Sequence, residues 1–170
     1  MPPPTTWSTD DFSIATYLHS CGIPLRAARL ISNGSRPRDY DFDFGAPADA
    51  CEALALEYLS SGAYRFDQAQ RALKKVVFGW RWRGPLAGRA GEWATEDLTL
   101  ASYIVAEGNR MVGFRRTHPN RREYRFEFAD PKTAAAPCSA LALRFLASDA
   151  YRYDQSQRAL KRLVFSVADM

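Results

Sequence analysis

Apolar and polar positions along this chain change period several times, and the changes come twice in the same order. WSTDDFSIATYLHSCG and WATEDLTLASYIVAEG each open a copy. In them Phe12, Ala15 and Leu18 correspond to Leu98, Ala101 and Ile104, an apolar row at helical spacing. Thr9 and Thr95 are placed to cap this helix, with Asp10, Asp11, Glu96 and Asp97 in its first turn, where the helix dipole favours acids. Gly22 and Gly108 mark its end. The period then shortens to two. Leu25 to Ile31 leads through Ser32-Asn33-Gly34 to Tyr40-Asp41-Phe42-Asp43-Phe44, and Met111 to Arg116 leads through His118-Pro119-Asn120 to Tyr124-Arg125-Phe126-Glu127-Phe128. Each reads as a hairpin with one aromatic face, opposite Asp39, Asp41 and Asp43 in the first and Glu123, Arg125 and Glu127 in the second.

A second helix follows, over about 48–59 and 137–146, with Leu54, Ala55 and Tyr58 matching Leu141, Ala142 and Phe145. The last element is the most similar pair: YRFDQAQRALKKVVF, Tyr64 to Phe78, returns as YRYDQSQRALKRLVF, Tyr151 to Phe165, with eleven of fifteen positions identical. Asp67 and Asp154 are expected to cap a helix burying Ala69, Leu73 and Val76, or Ser156, Leu160 and Leu163. The fold class predicted is α+β: two tandem α-β-β-α-α repeats forming a pseudo-two-fold, dimer-like domain. The expected division is a leader over 1–6, a repeat over 7–78, a linker over 79–92 and a second repeat over 93–170. A unit of about seventy residues has little core of its own, and joining the hairpins into a four-stranded sheet would ease that shortage.

Both copies resemble a short domain of unknown function from phage and bacterial proteins. The carrying residues are Thr9, Asp11, Ala15, Tyr17, Phe42, Phe44, Asp67, Arg71, Leu73 and Lys74, then Thr95, Asp97, Ala101, Tyr103, Phe126, Phe128, Asp154, Arg158, Leu160 and Lys161. Phe66 and Tyr153 depart from that pattern, which has an aliphatic residue before the last Asp. The resemblance implies a fold and a phage-like setting, and no activity.

Composition changes this picture little. Hydrophobic residues make up 46% and charged residues 25%, as in ordinary globular proteins, and the net charge of +4 permits a polyanionic partner without demanding one. Three cysteines, with Cys51 and Cys138 at equivalent positions, fit a reducing, cytoplasmic setting better than a disulfide framework. Neither a secretory signal nor a membrane-spanning run is seen.

The chemistry lies in the cations. Arg71, Lys74 and Lys75, and Arg158, Lys161 and Arg162, fall opposite the apolar stripe, with Phe78 and Phe165 among them. They suit phosphates and bases, or are simply a solvated face. Trp80, Arg81, Trp82 and Arg83 in the linker suit nucleic acid or an acidic peptide, or plug a seam between the copies. Arg115, Arg116, Arg121, Arg122 and Arg125 could track a phosphate backbone, or pair with Asp39, Asp41 and Asp43 of the other copy. His19 and His118 have no zinc-type spacing with the cysteines, so no metal is expected. GPLAGRAGE lacks the phosphate-loop ending and no nucleophile elbow is present. The expectation is a non-enzymatic accessory protein, without cofactor or small-molecule substrate, that binds DNA or RNA. The alternative is a protein-interaction module: an adaptor, an inhibitor of a host system or a subunit of a larger complex.

Overall fold

The computed structural model describes residues 6–31, 39–78, 93–118, 123–129 and 136–168. It is a mixed α+β structure in which one order of elements occurs twice: β1 (Trp7–Thr9), α1 (Phe12–Ser20), β2 (Leu25–Ile31), β3 (Asp39–Phe44), α2 (Ala48–Ser60) and α3 (Gly62–Phe78), then β4 (Trp93–Thr95), α4 (Leu98–Ala106), β5 (Met111–Arg116), β6 (Tyr124–Phe128), α5 (Cys138–Phe145) and α6 (Asp149–Ala168). The linker expected over 79–92 lies outside the described residues.

Both hairpins form. The four-stranded sheet does not; among the described residues there are two three-stranded antiparallel sheets, ordered β1-β3-β2 and β4-β6-β5. Each hairpin takes its third strand from the residues just before its own first helix, with Trp7 opposite Phe44 and Trp93 opposite Phe128. That strand was unforeseen because a three-residue edge carries too little pattern to register against the helix signal that follows it.

The first helices are capped by Asp11 and Asp97 rather than by the threonines. Asp11 Oδ1 accepts from Ser13 N (2.7 Å) and Ile14 N (3.2 Å), and Asp97 does the same for Thr99 and Leu100. Thr9 and Thr95 end their strands and accept from the cap residues' own N–H. At the other end, Gly22 (φ 85°) and Gly108 (φ 92°) close Schellman turns, in which Ile23 N–H reaches Leu18 O and Asn109 N–H reaches Ile104 O.

The last helices start earlier than expected, at Gly62 and Asp149. Asp67 and Asp154 are therefore interior residues, 2% and 3% exposed, each joined to the arginine one turn on: Asp67 Oδ2 to Arg71 Nε and Asp154 Oδ2 to Arg158 Nε, both 2.8 Å. The buried stripe runs Ala63, Phe66, Ala69, Gln70, Leu73, Val77 and, in the second copy, Ala150, Tyr153, Ser156, Gln157, Leu160, Val164. Burying the Asp and Gln turns the stripe by one position, so Val76 and Leu163, expected inside, lie outward at 36% and 40% exposure.

By its internal contacts the chain divides into two compact units, one of residues 1–63 with 152–170 and the other of residues 64–151. The repeat in sequence and the unit in space are thus different partitions, because the final helix of each copy belongs to the unit holding the other copy's sheet. In the first unit, Leu160 and Val164 of α6 sit in one core with Ala15, Leu18, Tyr40, Phe42, Phe44 and Cys51. Tyr40 Oη donates to Val164 O (3.3 Å), and Tyr153 stacks on Tyr58 at 6.0 Å and 11°. In the second unit, Phe66 of α3 meets Phe145 (6.4 Å), and Phe78 meets Tyr124 edge-on (6.0 Å, 89°). Phe126 and Phe128 are buried, as the alternation requires. No helix among the described residues is long and apolar enough to cross a membrane.

Candidate interaction surfaces

Of the cations picked out in the sequence, Arg158, Lys161 and Arg162 fall in the first unit, and Arg71, Lys74, Lys75, Arg115, Arg116 and Arg125 in the second. Trp80, Arg81, Trp82, Arg83, Arg121 and Arg122 lie outside the described residues. Several cations are engaged locally. Besides the two Asp–Arg pairs, Lys74 Nζ donates to Gln70 Oε1 (2.7 Å) and Lys161 Nζ to Gln157 Oε1 (2.9 Å). Lys75 and Arg162 are exposed on the outer side of their helices.

Each hairpin carries a cross-strand ion pair. Arg29 pairs with Asp43 across β2 and β3, and Arg115 Nε lies 3.4 Å from Glu127 Oε1 across β5 and β6. Arg115 is also directly opposite Arg125, an unfavourable like-charge pair that Glu127 offsets.

The first unit holds a cavity of about 290 Å³ lined by Asp10, Phe12, Tyr40, Phe42, Lys161, Val164 and Phe165. Three of its walls are aromatic rings, and Lys161 Nζ stands 5.9 Å from the centre of the Phe12 ring. Phe165, half exposed, forms the lip among the α6 cations, which is where helical spacing put it. Such a pocket can take a flat apolar ring with an anion beside it.

A different surface is carried by residues that sequence reasoning passed over. Leu56 and Leu59 on α2 are 71% and 58% exposed, and their counterparts Leu143 and Leu146, on and just after α5, are 80% and 65% exposed. Each pair lies on the outer side of a helix whose inner side buries Cys51 and Tyr58, or Cys138, Leu141 and Phe145. Leaving one leucine in water forgoes about 1.5–3 kcal/mol of burial. The outward pair occurs at the same positions in both copies, one i,i+3 step each. The signal was present as that repeated step, set beside the buried row.

The ionisable groups beneath these helices are tuned by burial. Desolvation, then Cys21 and Glu57, raise the Tyr17 hydroxyl above its ordinary range, and Tyr17 Oη donates to Glu57 Oε1 (3.2 Å). Desolvation raises Tyr103 as well, with Glu107 adding to it and Arg144 and Arg65 opposing. Burial pushes the Cys51 thiol up, which holds it in its unreactive form. All three cysteines are free thiols. The described residues contain no group of three or more His, Cys, Asp or Glu side chains able to hold a metal ion.

No family model, curated protein or solved structure matches the chain.

Proposed function

We propose that this chain is a non-enzymatic protein-interaction module, built from two repeats related by a pseudo-two-fold, whose binding surfaces are the outer faces of α2 and α5. The observation that carries the reading is the duplicated pair of outward leucines, Leu56 with Leu59 and Leu143 with Leu146. Apolar side chains exposed at equivalent places in both copies are a feature of partner surfaces more than of solvated ones. The local pairing of Arg71, Arg158 and Arg115 supports the same reading, since those cations already have carboxylate partners. Free thiols suit a reducing, cytoplasmic setting, and the family likeness suits a phage-derived adaptor or inhibitor.

A nucleic-acid reading keeps one specific observation in its favour, the aromatic cavity beside Lys161 with Phe165 at its lip and Arg162 on the same helix. It would use base stacking with phosphate contacts from α6, and from Lys75, Arg116 and the linker. Fluorescence anisotropy with labelled single-stranded DNA, duplex DNA and RNA over a salt series separates the two. The interaction reading expects no saturable binding at low salt. Saturable binding that weakens steeply with salt and is lost in Lys161→Ala/Arg162→Ala would overturn it in favour of nucleic acid.

A further inference from the structure

The two faces expose leucines at equivalent positions and differ in charge. On α2, Asp49 and Glu52 precede Leu56 on the same side of the helix and Glu57 flanks it. The equivalent positions in the second copy are Ala136, just before α5, and Ser139 and Arg144 within it; the helix contains no acidic residue, and Asp149 follows Leu146 by three residues at the start of α6. The surroundings keep the contrast. Near α2 the opposing group is Arg152, which acts with Glu57 on Cys21. Near α5, Arg65 joins Arg144 around Tyr103, with Glu107 as the opposing group. Around α2 there are thus three acids against one cation, and around α5 two cations, Arg144 and Arg65, against two acids, Glu107 and Asp149.

We propose that the partner for these faces is a second copy of this chain, the acidic leucine face of α2 on one copy docking on the leucine face of α5, which carries Arg144 and no acid within the helix, on another. This rests on the interaction reading above and names its partner. Like faces meeting would set three carboxylates against three, while unlike faces bury four leucines with Glu57 and Arg144 at the rim. Two different patches in contact make a heterologous, head-to-tail interface, which adds further copies unless a ring closes. The interface is small, so the association belongs to the weak class and is driven by concentration.

Analytical ultracentrifugation of the full chain, up to about 0.5 mM for a weak interface of this kind, tests the proposal. The wild-type mass is expected to rise with concentration. Leu56→Glu/Leu59→Glu alone and Leu143→Glu/Leu146→Glu alone are expected to stay monomeric, since each lacks one of the two faces. Mixed in equal amounts they are expected to form a dimer that grows no further, because each still carries the face the other lacks. Arg144→Glu, which leaves every leucine in place, is expected to weaken the wild-type association at least about tenfold, as loss of a rim pair plus new repulsion predicts. Adding Glu57→Arg to Arg144→Glu is expected to restore it.

A wild type that stays monomeric throughout, a single-face variant that still associates, or a mixture that stays monomeric would each overturn the proposal. The broader reading is separable from it. A monomeric wild type that captures cellular proteins the leucine variants lose would refute self-association alone. A monomeric wild type that captures the same proteins as those variants would refute both.

Discussion

Leu160→Ala asks which sheet the last helix serves. Leu160 is 1% exposed and shares a core with Tyr40, Phe42, Phe44, Ala15, Leu18, Cys51 and Val164. Truncating a buried leucine costs about 2–5 kcal/mol, and walls made of rings on a three-stranded sheet collapse poorly, which favours about 3–4 kcal/mol here. That is a large part of a typical stability of about 5–15 kcal/mol. Hydrogen exchange read by mass spectrometry localises the loss. Faster exchange is expected in β2, β3 and α1, with β5 and β6 close to wild type. Leu73→Ala, 5% exposed on α3, is expected to give the mirror pattern, with faster exchange in β5 and β6. If Leu160→Ala instead loosened β5 and β6 and spared β2 and β3, the helix would belong with its own copy's hairpin and the division into units would be refuted.

Three further outcomes follow from the same geometry. Arg158→Ala leaves the buried Asp154 without its guanidinium and should cost about 1.5–3 kcal/mol in a denaturant titration, while Arg162→Ala, on the outer side, should stay within about 0.5 kcal/mol of wild type. Asp11→Ala removes a side-chain cap and should cost about 0.5–2 kcal/mol, with Thr9→Ala costing less, the reverse of what a threonine cap would give. Tyr17 is raised in the folded chain by burial, so the fold favours its protonated form. The stability this contributes is complete below the ordinary tyrosine value of about 10 and is lost as pH rises beyond it. Denaturation midpoints should therefore fall above that pH, and less steeply in Tyr17→Phe.

The hairpins and first helices were legible because their signals are strong and local. Alternation fixed the buried face of Tyr40, Phe42 and Phe44, and Gly22 and Gly108 marked turns that need a positive φ. The start of the last helix was misread because Asp67 and Asp154 look like caps ahead of an apolar row. Ala63 and Phe66, and Ala150 and Tyr153, already form an i,i+3 step before them, and that step was the missed cue. The exchange of helices has no signature in the stripe itself. Leu73 and Leu160 are the same residue, as are Val77 and Val164, so either helix presents the same apolar groups to either sheet. The leucine faces were hidden by their neighbours, since Leu54, Ala55 and Tyr58 already satisfied the pattern of a buried row. Arg71 and Arg158 read as solvent cations because nothing local announced that the Asp four residues earlier would be inside.

The central claim, that the outer faces of α2 and α5 are the binding surfaces, is tested most directly by quantitative affinity capture with three forms of the chain. These are the wild type, the quadruple variant Leu56→Glu/Leu59→Glu/Leu143→Glu/Leu146→Glu, and Lys161→Ala/Arg162→Ala, with Arg158 kept because it holds Asp154. The account predicts that whatever the wild type binds, another copy included, is lost by the quadruple variant and kept by the lysine–arginine variant. Retention by the quadruple variant, with loss on changing Lys161 and Arg162, would contradict it and move the binding surface to α6 and its aromatic cavity.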